Sequence, residues 1–185
     1  MDINILLFDE FTTLDAFGPV EVLGSVAEWR LRFVSMDGGI IRSHQGVEVL
    51  TQAVASQDLG AAWLVPGGWG TRQLVKDQRF MTLVGRLAEE STYCLSVCTG
   101  AALLARCGSL DGRKATTNHK AFDWVASFGP RVNWQRDVRW VCDGKFYTSA
   151  GVSAGVDMAL GFVRDRLGRD KAEQIADRME YAWRE

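Results

Sequence analysis

Cys98 follows a short apolar run at residues 93–97 and precedes a strong helix-forming stretch at residues 101–106. That order predicts an abrupt strand-to-helix turn, which points a side chain out of a sheet much as a nucleophile elbow does. A cysteine at the start of a helix also meets the helix dipole and free backbone N–H groups. Both favour the thiolate, the nucleophilic form. Thr99, Gly100, Ala101 and Ala102 are small and allow close approach of backbone and substrate. The competing reading is a buried inert thiol, since free cysteine is among the most buried residue types.

Other residues able to move a proton or hold charge stand near predicted turns. Asp15 sits just before a helical pattern. It reads either as an N-cap or as a carboxyl beside Cys98, acting as hydrogen-bond partner or general acid/base. Glu21 lies further along the same stretch and reads as a solvated or capping residue. His119 is a candidate base for Cys98, against the alternative of a polar residue in a helix's first turn. His44 is expected to be exposed. Gly67 and Gly68 follow a buried strand and Pro66. Their N–H groups, with that of Thr99, are candidate oxyanion donors, unless the glycines only make a tight turn. Trp69, Trp124 and Trp140 are candidates to narrow a pocket, with core burial as the alternative. Cys94, Cys107 and Cys142 are expected to be structural.

These residues do not have metal-site spacing. Cys94 and Cys98 are separated by three residues and form no tight ligand pair with either histidine, so no metal is expected. The chain has 185 residues and a net charge of −2. Without a basic run, neither nucleic acid nor an anionic membrane is an expected partner. The N-terminal residues read as a strand rather than a signal peptide, and no apolar run is long enough to span a bilayer. A cytoplasmic protein without disulfides is expected.

The elements that must position these residues follow from periodicity. Residues 3–8, 29–36, 61–65 and 93–97 read as buried strands. Residues 14–26 read as a helix that begins or kinks at Pro19. Residues 47–51 are expected to pair near Ile40 and Ile41. Residues 74–90 read as one helix, and residues 119–128 as another capped at 116–118. Residues 132–134, 138–142 and 146–149 read as strands, the last two forming a hairpin across Asp143-Gly144. Two helices close the chain, at 153–167 and 170–183. Alternation of strand and helix predicts an α/β fold with a mostly parallel sheet, helices on both faces and a small hairpin. One domain over residues 1–185 is expected. Sites in such sheets form at the carboxyl ends of strands, where the loops 9–15, 66–70 and 98–100 are expected to converge.

Several segments together resemble the DJ-1/PfpI superfamily. They are Leu14-Asp15-Ala16-Phe17-Gly18-Pro19-Val20-Glu21-Val22-Leu23, Leu64-Val65-Pro66-Gly67-Gly68, Val97-Cys98-Thr99-Gly100-Ala101, Ala115-Thr116-Thr117-Asn118-His119 and the stretch from Thr148 to Leu160. Within the superfamily the pattern is most similar to the isonitrile hydratase branch and to amidase-like domains of certain transcription regulators. The resemblance implies a flavodoxin-like three-layer sandwich, a homodimer, a small-molecule substrate and no cofactor. It implies that a cysteine attacks the isonitrile carbon and that water then yields an N-formamide, with Asp15, Cys98 and Thr99 taking part. Thr99 stands where protease-like members have His, which argues against a protease triad. Asn118 stretches the Thr-Thr-His pattern of several relatives, which leaves the place of His119 in the pocket open. Glyoxalase or deglycase activity on reactive carbonyls is a second enzymatic reading. A sensor whose exposed Cys98 thiolate is oxidised is a third.

Overall fold

The computed structural model describes residues 1–57 and 59–184. Its first strand, β1 (Asp2–Leu6), is buried from Ile3 onward. A strand apolar on both faces needs cover on both, and that dictates the layered design. Around β1 lie β2 (Arg30–Ser35), β4 (Glu48–Ala53), β5 (Ala62–Val65), β6 (Cys94–Val97) and β10 (Phe146–Ser149), all parallel. Antiparallel strands close both edges: β3 (Gly39–Arg42) on β4, and β9 (Trp140–Asp143) on β10. The sheet order is β3-β4-β2-β1-β5-β6-β10-β9. The expected pairing of Ile40 and Ile41 with residues near 47–51 and the hairpin across Asp143-Gly144 are both present.

Helices α1 (Thr13–Leu23), α6 (Ala154–Leu167) and α7 (Arg169–Arg178) pack together in one layer. In a second layer lie α2 (Thr71–Leu74), α3 (Gln78–Glu90), α4 (Gly100–Arg106) and α5 (Phe122–Ala126). This is the mostly parallel α/β sandwich that the alternation predicts, in the flavodoxin-like form that the resemblance implies. Among the described residues no helix is long and apolar enough to cross a membrane.

Four local expectations are corrected. Helix α1 starts at Thr13, six residues before Pro19, which is accommodated inside it. The stretch 74–90 is split because the Asp77 side chain accepts from Phe80 N at 3.0 Å, capping α3 and ending the previous turn. Residues 119–128 form a 3₁₀ turn (His119–Ala121) and then the short α5, with Asn118 as the cap residue accepting from Ala121 N. The last helix ends at Arg178 rather than near Trp183, because Tyr181, Trp183 and Arg184 bind Asp157 instead of continuing the helical ladder. A two-stranded ladder joins β8 (Asn133–Trp134), which lies within the strand expected at 132–134, to β7 (Lys114–Ala115), which is too short to stand out by periodicity.

Candidate active site

The chain runs from β1 to β2 on one side of the sheet centre, then crosses to β5 on the other side of β1. At such a switch point the loops leaving adjacent strands diverge and open a crevice. The loops after β1, β5 and β6 meet there. Phe11 and Gly68 form an antiparallel bridge, and Thr12 N donates to Gly67 O at 2.9 Å. The expected convergence of 9–15, 66–70 and 98–100 is thus observed.

Cys98 is the turn between β6 and α4. Its φ is +57°, a left-handed conformation that ordinarily costs a cysteine on the order of 1–3 kcal/mol. Three contacts hold it there. Cys98 N donates to Ser149 O at 3.1 Å. The Thr117 hydroxyl donates to Cys98 O at 2.7 Å. Gly151 lies so close that a methyl group there would meet Asn118 and the Cys98 sulfur. The side chain borders a cavity of about 300 Å³ whose other walls include Thr12, Gly68, Trp69, Arg72, Thr99, Asn118 and Lys120.

Cys98 is only 6% exposed. Burial, followed by the neighbouring Asp15 charge, pushes the thiol up to about 12. The Thr99 N–H and the Asn118 amide pull in the opposite direction and are outweighed. The resting group is therefore a thiol, not the exposed thiolate that a position at the head of a helix suggests. The helix-end effect is smaller than the desolvation of a nearly enclosed sulfur.

Asp15 is not an N-cap. It lies within the first turn of α1, fully buried. Oδ2 accepts from Gly67 N at 3.1 Å. Oδ1 is buried with no conventional hydrogen-bond partner among the described residues. Burial raises the carboxyl to about 7, against opposing hydrogen bonds from the Cys98 thiol and Gly67 N.

The oxyanion expectation is corrected at two of its three donors. Gly67 N is engaged by Asp15, and Gly68 N donates to Thr99 Oγ1 at 3.0 Å. Thr99 Oγ1 also meets the Thr71 hydroxyl at 3.1 Å. Only the Thr99 N–H faces the Cys98 sulfur. The glycines serve close packing: a Cβ on Gly67 would sit 2.5 Å from Thr99 N.

His119 stands apart from Cys98. It is exposed, with Nε2 3.3 Å from Val138 O, in a neighbouring depression beside Val152 and Arg139. The residue the sequence reading missed is its neighbour Asn118, which lies between Thr117 and the first turn of the 3₁₀ segment and reaches the sulfur. The extra residue in the Thr-Thr-His pattern was the only signal for it. Glu21 is exposed, and His44 pairs with Glu10 at the surface, Nδ1 to Oε2 at 2.7 Å. Cys94 is buried in β6, Cys107 is partly buried and Cys142 is exposed; all are free. Of the three tryptophans, Trp69 lines the cavity, while Trp140 stacks on Tyr147.

The whole arrangement has the family's shape and its matching segments. The DJ-1/PfpI family model matches residues 1–165. The chain belongs to the DJ-1/PfpI family. Among curated members it is 32% identical to the isonitrile hydratase of Pseudomonas putida, over 98% of this chain and 79% of that one. It is 26% identical to the HTH-type transcriptional regulator GbdR of Pseudomonas aeruginosa, covering 97% of this chain and half of that protein. Its fold superposes on a ThiJ/PfpI family protein from Pseudomonas syringae with a TM-score of 0.88, at 28% identity over 100% of this chain and 76% of that one. It superposes on Drosophila melanogaster DJ-1beta with a TM-score of 0.83, at 19% identity over 98% of both chains. This DJ-1/PfpI chain is thus similar both to an enzyme and to a regulator.

Proposed function

We propose that this protein is a cofactor-independent cysteine hydratase acting on a small electrophilic carbon, with an isonitrile converted to an N-formamide as the reaction. The observation that carries this reading is the buried Asp15 carboxyl coupled to the Cys98 thiol, with Oδ1 unspent and its protonation poised at about 7. A neutral thiol needs a base at the moment of attack, and a carboxylate near neutrality both accepts and returns a proton. Similarity to the Pseudomonas putida isonitrile hydratase supports the same chemistry.

In this mechanism the Cys98 sulfur forms a bond to the terminal isonitrile carbon while its proton passes to Asp15. Asp15 returns that proton to the same carbon, giving a thioimidate on Cys98. Water adds across the C=N bond, its proton going to nitrogen and its hydroxyl to carbon. The C–S bond then breaks, the hydroxyl proton returns through Asp15 to sulfur, and the N-formamide leaves. Thr99 N–H and the Asn118 amide stabilise the sulfur as it carries charge. The Thr99 hydroxyl ties the elbow to the Gly68 loop. Gly67 fixes Asp15. The same reading takes residues 1–185 as one catalytic domain acting as a homodimer.

Oxidative sensing draws on an exposed thiolate. A sulfur that is 6% exposed and held as a thiol supports it less well. The test is incubation with a neutral alkyl isonitrile, following N-formamide by NMR. Turnover by the wild type and none by Cys98→Ala is expected. Full turnover by Cys98→Ala would overturn the reading.

A further inference from the structure

The mouth of the Cys98 cavity carries two cations and no acidic side chain. Arg72 and Lys120 line it, while Asp15 is fully buried and does not line the opening. Among the described residues neither cation has a carboxylate partner. The Arg72 guanidinium instead lies 4.7 Å from the Trp69 ring centroid and 4.3 Å from that of Trp124. Cation–π contact uses the faces of the indole rings and holds the arginine in place, but it satisfies no N–H. Those donors lie in the guanidinium plane as a fork that matches two oxygens of one group. A positioned, unpaired arginine beside a nucleophile is a recognition element looking for an anion.

From this we infer that the substrate's electrophilic carbon is attached to a carboxylate, which Arg72 grips with its paired N–H groups while Lys120, another side chain lining the cavity, adds positive charge. The inference rests on Cys98 as the nucleophile and names the class of molecule it attacks. A phosphate is served less well, because phosphate sites draw on several free backbone N–H groups. Here the loop amides of Gly67 and Gly68 are already engaged. A cavity of about 300 Å³ holds a molecule of a few carbons plus the carboxylate. Trp69, 58% exposed, leaves an apolar rim for its chain.

The test does not require the hydratase reading to hold. Cys98 is alkylated with iodoacetate and, separately, with iodoacetamide, and the modified peptide is quantified so that Cys107 and Cys142 do not contribute. Free cysteine gives the intrinsic ratio of the two rates. In the protein the ratio is expected to favour iodoacetate by about tenfold over that reference, the effect of about 1.4 kcal/mol of anion binding. Arg72→Met is expected to bring the ratio back to that of free cysteine, and Lys120→Met, at an exposed position, to lower it part-way. A wild-type ratio equal to that of free cysteine overturns the inference. So does a preference that survives in the double variant, or an Arg72→Met protein in which both rates fall together. Turnover of isocyanoacetate against its methyl ester then separates the two readings. An iodoacetate preference without turnover of either isonitrile leaves the anion site standing and sinks the hydratase. Turnover of both without a preference does the reverse.

Discussion

At Cys98 and Asp15 two acids are packed in one nearly dry site, each shifted upward by burial. The carboxyl titrates first, and the thiol keeps its proton until a substrate arrives. Activity that needs the Asp15 carboxylate therefore rises with pH up to about 7 and then levels. We expect kcat/KM on a neutral isonitrile to show that single rising limb. Asp15→Asn should lose about 10²–10⁴-fold in kcat, the usual worth of a positioned general base, and lose the limb as well. A pH profile of both proteins checks this. Stability should move the other way. Folded Asp15 binds its proton more tightly than the unfolded side chain, so between about 3.8 and 7 the native state holds the extra proton and stability falls as pH rises. In Asp15→Asn that fall should shrink, read as a smaller drop in urea midpoint across the window.

Around these residues, the elements act through close backbone approach. The loop after β5 touches the elbow at Gly67, where a Cβ would lie 2.5 Å from Thr99 N, 2.7 Å from Thr99 Oγ1 and 2.9 Å from Asp15 Oδ2. All three atoms belong to backbone or to buried side chains with nowhere to move. Gly67→Ala should therefore displace Asp15 from Cys98. We expect a loss of about 1–3 kcal/mol in stability, the range for overpacking, with most isonitrile turnover lost. Differential calorimetry and the formamide assay check the two effects. Element types were legible because β1, β5 and β6 lie in apolar runs ended by Asp9, by Pro66-Gly67 and by the elbow Cys98. Boundaries were less so. Asp77 breaks one helical pattern by using its side chain as a cap, and nothing in the hydrophobic spacing marks that choice.

Across the molecule, the C-terminal segment is tied to the side of the sheet that carries the elbow. Asp157, fully buried at the start of α6, pairs through Oδ2 with Arg139. Its Oδ1 accepts from the Tyr181 hydroxyl at 3.1 Å and from Arg184 N at 2.9 Å, and its carbonyl accepts from Trp183 Nε1. The Arg139 backbone carbonyl in turn accepts from Ala150 N at 2.8 Å, one residue before the Gly151 that packs on Cys98. Removing one partner of a buried pair leaves the other uncompensated. Because the Arg139 side chain is 31% exposed, the expected cost of Asp157→Ala is about 2–3 kcal/mol rather than the larger figure for a sealed pair. Urea denaturation should show it as a lower midpoint at unchanged m.

The sequence by itself determined the layered α/β fold and the turn at Cys98. Both follow from local pattern: apolar runs that need cover on two faces, and small residues where a strand meets a helix. It also placed Asp15 and Gly67 at strand ends, though not what they do there. Only the tertiary structure decided what surrounds them. It put a carboxyl from α1 behind a sulfur 83 positions later in the chain, and it engaged both glycine amides internally. It moved His119 outside the Cys98 cavity and Asn118 into it. The physical reason is desolvation. Whether Cys98 rests as thiolate or thiol, and whether the Asp15 carboxyl is solvated or buried, depends on how completely distant segments close over them. Spacing along the chain carries no measure of that closure.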